Sequence, residues 1–225
     1  MTPAPRQLAL ALDHPESLVR EDFLSGPSNA SALALVECWP AWPNRSVILA
    51  GPEGSGKSHL AAIWAAAAGA RVVGARALEP GMVPRTLATG AVVVEDLLPG
   101  VFDERALFHL LNLAREDEAF VLLTTRIPPA EWRVVLRDLA SRLQALPTVS
   151  LAPPDDALLR AVLVKLFADR QIGVGEHLIG YLATRMERSF AAARLIVAKL
   201  DAESMGRKRP LTRALAAEVL RAATG

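Results

Sequence analysis

The chain has 225 residues, 52% of them hydrophobic and 22% charged, with a formal net charge of +1 at pH 7. That size and apolar content suit a folded chain with a substantial core and exclude disorder beyond the ends. The near-neutral balance excludes a general field that would draw in nucleic acid, and the single cysteine, Cys38, excludes internal disulfides and a cysteine zinc cluster.

Residues 1 to about 20 carry Pro3, Pro5 and Pro15 around Gln7-Leu8-Ala9-Leu10-Ala11-Leu12, and read as a flexible tail. The start lacks the basic-then-apolar order of a signal peptide, and the apolar run from Leu60 to Ala70 is too short to span a bilayer. A cytoplasmic protein without membrane contact is expected. His14, His59, His109 and His177 are too widely spaced for a metal cluster. The basic run Arg207-Lys208-Arg209 reads as a solvated loop between helices, so no direct sequence-specific DNA binding is expected.

Ser46 to Ala50 forms the first strand candidate, followed by Gly51-Pro52-Glu53-Gly54-Ser55-Gly56-Lys57-Ser58 and a helix-forming run from His59 to Ala66. The middle segment fits the phosphate-loop pattern G-x-x-x-x-G-K-[ST] in its required strand-loop-helix setting. Glycines let successive N–H groups turn inward on phosphate oxygens, and the helix N-terminus adds partial positive charge. Lys57 would reach the β- and γ-phosphates and the Ser58 hydroxyl would hold Mg²⁺. An ADP or ATP cofactor with Mg²⁺ is expected.

Further strand candidates stand at Arg71–Gly74, Ala91–Val94, Phe120–Thr124 and Thr148–Leu151, separated by helical patterns such as Glu104 to Arg115 and Glu131 to Leu146. The alternation specifies an α/β fold with a parallel five-stranded sheet and helices on both faces. After Pro153-Pro154 only helices are expected: Asp155 to Arg170, Gly175 to Met186, Ser189 to Met205 and Leu211 to Ala223. Asp155 or Asp156 would cap the first and Thr212 would help start the last. The expected division is a tail over 1–20, a nucleotide-binding domain over 21–153 and a small all-α lid over 154–225.

The remaining polar residues at strand ends complete the candidate site. Glu95-Asp96 closes an apolar strand, an arrangement that holds Mg²⁺ and polarises an attacking water. Thr124 and Thr125 would stand beside the same site and sense the γ-phosphate, or simply be good strand residues. Arg142, in Asp138-Leu139-Ala140-Ser141-Arg142-Leu143, is an ordinary surface arginine or a charge donated to a neighbour's nucleotide. Arg188 and Arg194 flank the start of the third lid helix, and either could reach the phosphates.

With these motifs the chain resembles the AAA+ P-loop ATPases, and among them the bacterial replication initiator DnaA, from about residue 21 to about 220. The stretch Asp22-Phe23-Leu24-Ser25-Gly26-Pro27-Ser28-Asn29-Ala30 is similar to that family's approach to the adenine pocket, which puts Leu24 with the loop residues and His59 among the nucleotide contacts. A DnaA-like ATPase without the initiator's helix-turn-helix domain resembles the Hda family of DnaA-homologous regulators. That resemblance implies three things. Gln7, Leu8 and Leu10 would bind the DNA polymerase sliding clamp (beta subunit), although alternating leucines also suit an edge strand. The clamp-bound protein would stimulate ATP hydrolysis on the DnaA initiator and prevent re-initiation of replication. Arg142 matches the arginine of a Ser-Arg box and would be the finger acting in trans, with Arg137 and Arg133 next in line.

The chain departs from the family at three positions. Its acidic pair is Glu95-Asp96, Arg126 stands where DnaA-like chains have Asp, and the lid-sensor position falls on Ala191, leaving Arg188 or Arg194 as substitutes. Weak or no intrinsic hydrolysis is therefore expected, with a possible homo-oligomer completing sites between subunits. The competing readings are a DnaC-like AAA+ helicase loader, a small-molecule kinase, and an interaction module with a dead nucleotide site.

Overall fold

A computed structural model describes residues 18–207 and 210–224, so the tail motif Gln7, Leu8 and Leu10, and Lys208-Arg209 of the basic run, lie outside the described residues. Five strands, β1 (Ser46–Ala50), β2 (Arg71–Gly74), β3 (Ala91–Leu97), β4 (Phe120–Thr125) and β5 (Thr148–Ser150), form one sheet in the order β2-β3-β4-β1-β5. Every pairing is parallel. β1 sits between β4 and β5, so its C-terminal end opens near the middle of the sheet.

Alternation along the strands feeds two cores. Ile48, Val92, Val94, Val121 and Leu123 pack against α4 (Glu104–Glu116) and α5 (Arg137–Ala145) through Leu107, Leu110, Leu139 and Leu143. Val47, Leu49, Val93 and Leu122 face the other way, onto α1 (Ala30–Glu37) and α2 (Lys57–Ala68) through Leu33, Val36, Leu60 and Trp64. Both faces being covered explains why β1 is buried at all five positions and reads as a continuous apolar run. α4 starts on Asp103, whose carboxylate accepts from the Ala106 N–H at 2.9 Å, and buries Leu107, Leu110, Leu111 and Ala114 at helical spacing. A short α3 (Val83–Thr86) completes this layer.

Three elements differ from the sequence expectation. The Asn29–Glu37 region forms a helix not anticipated from the apolar, alanine-rich run. β3 runs on through Glu95 and Asp96 to Leu97. The helix expected from Glu131 starts only at Arg137. Pro129–Glu131 makes a 3-10 turn instead, and the Glu104 carboxylate accepts the N–H groups of Val135 (3.0 Å) and Leu136 (2.8 Å), which holds that segment extended.

The chain divides into compact units at Asp155/Asp156: the sheet and its helices from Leu18, and a helical unit from Asp156. In the latter, α6 (Asp156–Asp169), α7 (Glu176–Ala183), α8 (Phe190–Arg207) and α9 (Arg213–Thr224) surround Leu159, Leu163, Phe167, Leu182, Val197, Leu200 and Leu215. Ser189 and Thr212 accept from the Ala192 and Leu215 N–H groups (3.1 and 3.3 Å) and start α8 and α9. Among the described residues no helix is long and apolar enough to cross a membrane.

Trp64 is fully buried on α2 and stacks on Trp42 with ring centroids 4.9 Å apart. Trp64→Ala is expected to cost about 3–5 kcal/mol, read as a fall in the urea midpoint.

Candidate functional site

The Gly51–Ser58 loop leaves β1 where three strands meet. The Gly51 N–H donates to the Thr125 carbonyl at the end of β4 (3.1 Å), and the Leu151 N–H donates to the Ala50 carbonyl (2.7 Å). A Cβ at Gly51 would stand 2.6 Å from the Leu151 carbonyl oxygen, so only glycine fits. Gly54 (φ 70°) and Gly56 (φ 99°) take left-handed conformations that open the loop around the start of α2. The loop therefore presents backbone N–H groups and a helix N-terminus to one point, an anion site by construction.

Lys57 is only 7% exposed, and its ammonium donates to the Gly51 and Pro52 carbonyls, both at 2.8 Å. Burial lowers its pKa; Asp96 opposes that shift, Arg126 reinforces it, and Glu53 and Glu95 oppose it more weakly. A phosphate arriving beside Lys57 would replace the lost solvation of its charge. Ser58 is exposed at the first turn of α2, and Ser55 is buried with its hydroxyl unpartnered.

At the end of β3 the β3–β4 register shifts between Val94 and Leu97, and Asp96 adopts φ 57°. Its N–H donates to the Thr124 hydroxyl at 3.1 Å. The bulge leaves Asp96 exposed and Glu95 half-buried, and the Glu95 Oε1 is a buried oxygen without a hydrogen-bond partner. An orphaned carboxylate oxygen near a serine hydroxyl at a phosphate loop suits a hard cation. No group of three or more His, Cys, Asp or Glu among the described residues forms a self-sufficient metal site, so phosphate oxygens would have to complete the shell around Ser58, Glu95 and Asp96.

The Thr125 hydroxyl is fully buried and internally engaged, donating to the Leu97 carbonyl (2.8 Å) or the Ile127 carbonyl (2.9 Å) and accepting from the Ile127 N–H (3.2 Å). It ties the ends of β3 and β4 together. Arg126, the next residue, pairs with Glu53 of the loop at 2.6 Å, a contact that composition and motif gave no sign of.

The Leu18–Asn29 segment is anchored beside α2. His59 Nε2 lies 2.9 Å from the Val19 carbonyl and its ring meets Phe23 edge-on at 5.2 Å. Leu24 is half-buried, its carbonyl accepting from the Asn29 amide (3.0 Å), while Asn29 Oδ1 accepts from the Gly26 N–H (2.8 Å). The Ala152 N–H donates to the Ser28 carbonyl at 3.0 Å, so this segment also borders the end of β5.

Arg142 stands at the other edge of the sheet. On α5 it lies over the Phe108 ring, 5.5 Å from its centroid, and it lines a cleft of about 780 Å³ with Asn44, Arg45, Ser46 and Asp138. Asn44 to Ser46 lead into β1, whereas Gly51 leaves its far end. Five strand residues at about 3.3 Å each separate the two edges by roughly 16 Å. Arg142 forms no ion pair among the described residues. Arg188 and Arg194 both belong to the helical unit; Arg188 pairs with Asp156 there at 2.6 Å, and Arg194 is half-buried on α8.

No protein-family model matches the chain. Among solved structures it is similar to domain III of the Thermotoga maritima replication initiation protein DnaA, at 17% identity and TM-score 0.76, covering 91% of this chain and 96% of that one. AMPPCP-bound DnaA from Aquifex aeolicus gives 18% identity and TM-score 0.67 over 84% of this chain and 67% of that chain. The Thermotoga maritima RuvB Holliday junction branch migration motor gives 16% identity and TM-score 0.73 over 92% and 72%. The sheet order, the loop at the end of β1 and the helices that follow define an AAA+ P-loop NTPase fold. Its likeness to the DnaA domain extends over nearly all of both chains.

Lys57→Ala is expected to abolish binding of Mg-ADP while leaving the fold intact, because the charged partner of the phosphates is lost. Calorimetry alongside circular dichroism checks both parts.

Proposed function

We propose that this protein binds ADP or ATP with Mg²⁺ at the Gly51–Ser58 loop and, tethered to the sliding clamp, activates ATP hydrolysis on a DnaA initiator, in the manner of the Hda regulators. The AMPPCP carried by a DnaA of the same fold supports a nucleotide at this loop. The observation that carries the activator reading is Arg142, a guanidinium without an acidic partner, on the sheet edge away from its own phosphate loop. A cation so placed serves a nucleotide held by a neighbouring molecule better than one held by its own chain.

In this reading Ser58, Glu95 and Asp96 hold Mg²⁺, which supplies charge neutralisation on the phosphates. Lys57 and the loop amides fix the nucleotide, and Leu24 and His59 border its base. Arg142 lies against the terminal phosphate of the initiator's ATP and offsets the charge that develops there in the transition state. The ring of Phe108 holds the guanidinium in place without neutralising it. Glu95, half-buried with an orphaned oxygen, is less suited to polarising a water in cis, which agrees with weak intrinsic turnover. Gln7, Leu8 and Leu10 supply the clamp contact, the leucines in an apolar groove and the glutamine amide in hydrogen bonds.

The deciding experiment measures ATP hydrolysis on preloaded DnaA with clamp loaded on DNA, with and without this protein and ADP. Clamp-dependent acceleration is expected. Arg142→Ala should return the rate to its unstimulated value, an arginine finger being worth about 10³ or more, while keeping clamp binding. Absence of acceleration by the folded, nucleotide-bound protein would reject the activator reading and make the replicative helicase of the loader reading the partner to test. Replacing Gln7, Leu8 and Leu10 together with alanine should abolish co-elution with the clamp in gel filtration and leave the melting temperature unchanged.

A further inference from the structure

Arg126 leaves the sheet at the point where Gly51 begins the phosphate loop, because the intervening hydrogen bond joins the Gly51 N–H to the Thr125 carbonyl. From there its guanidinium reaches Glu53, the third residue of the loop, at 2.6 Å. The two side chains are 43% and 71% exposed, and an ion pair so open to water contributes little, about 0–1 kcal/mol. It is a contact made to be exchanged. A guanidinium offered a phosphate in place of a solvated carboxylate can form two parallel charge-assisted hydrogen bonds.

The charges around the loop favour that exchange. Lys57 and Arg126 are the cations of this cluster, facing Glu53, Glu95 and Asp96. Such an acidic surplus opposes a polyanion unless every cation engages it. Lys57 is committed to the Gly51 and Pro52 carbonyls and seated deep, whereas Arg126 sits further out, with rotatable bonds and solvent around it. The repulsion that Arg126 exerts on the Lys57 ammonium confirms that the two cations share one electrostatic neighbourhood.

We propose that Arg126 is a second, in-cis phosphate ligand of this site, which releases Glu53 to grip the terminal phosphate of a nucleoside triphosphate and so sets the preference between triphosphate and diphosphate. The proposal rests on the nucleotide reading of the loop. With a diphosphate the Arg126–Glu53 pair stays closed, Arg126 masking the Glu53 carboxylate from the β-phosphate. With a triphosphate the guanidinium changes partner and Glu53 swings into water. The bridge is thereby a device that reports the length of the phosphate chain to the loop itself.

Calorimetric titration of the full chain with Mg-ADP and with Mg-AMPPCP tests this in the wild type, Arg126→Ala, Arg126→Lys and Glu53→Gln. Arg126→Ala is expected to weaken AMPPCP roughly ten- to hundred-fold while moving ADP by less than about three-fold, the loss of hydrogen bonds to a charged group. Arg126→Lys should recover part of the difference, and Glu53→Gln should tighten AMPPCP by removing the competing carboxylate. Equal weakening of both nucleotides by Arg126→Ala, or no weakening, overturns the proposal and leaves Arg126 as a brace for the loop. A wild-type chain that binds neither nucleotide overturns the site reading itself, and this proposal with it. Melting curves of each variant separate loss of contact from loss of fold.

Discussion

Everything at the candidate site depends on one close approach, that of the Gly51 backbone to Leu151. Where a side chain would collide with the Leu151 carbonyl oxygen at 2.6 Å, the chain can leave β1 and turn while still bonded to Thr125 on one side. The Leu151 N–H closes the other side on Ala50. The loop is thus riveted to β4 and β5 at its root and free at its crown, where Gly54 and Gly56 use conformations that side chains disfavour. A rigid root fixes the direction of α2, and with it the point on which the N–H groups converge.

The two edges of the sheet carry opposite electrostatics. At the loop edge, carboxylates outnumber cations, and Lys57 holds its charge against burial. Such a site is unsatisfied without a ligand, as the orphaned oxygen of Glu95 shows. At the other edge Arg45 is taken up by Glu118 and the Phe120 ring, while Arg142 rests on an aromatic face alone. An aromatic ring orients a guanidinium and leaves its donors unspent. The sheet therefore separates a polyanion receptor from an uncommitted cation by its own width.

Much of this was readable from residues because burial on both faces makes each strand a block of apolar side chains. β1 and β2 run over the expected residues, and the phosphate loop has its motif in the required context. What escaped reading depends on partners distant in sequence. The Glu104 carboxylate takes the amides of Val135 and Leu136, so a segment with helical composition stays extended until Arg137. α1 has alanine and leucine on most sides and little polar contrast to mark its buried face of Ala32, Leu33 and Val36. Thr125 looks like a hydroxyl available to a phosphate, yet its place between Leu97 and Ile127 is decided by the β3–β4 register. The Arg126–Glu53 pair spans 73 positions, and neither residue signals the other.

The bulge at the end of β3 has a consequence for how this site can drift through mutation. Position 96 holds a backbone φ of 57°, which aspartate, asparagine and glycine tolerate and longer side chains resist. Position 95 carries no such restriction, and there the extra methylene of glutamate extends the reach of the carboxylate. The two acids are consequently not interchangeable: reversing their order would place the long side chain on the intolerant backbone and shorten the arm beside it. Neutral exchange is open at one position and closed at the other, so the Glu-Asp order is a fossil of the local backbone, preserved whether or not the chain turns over nucleotide.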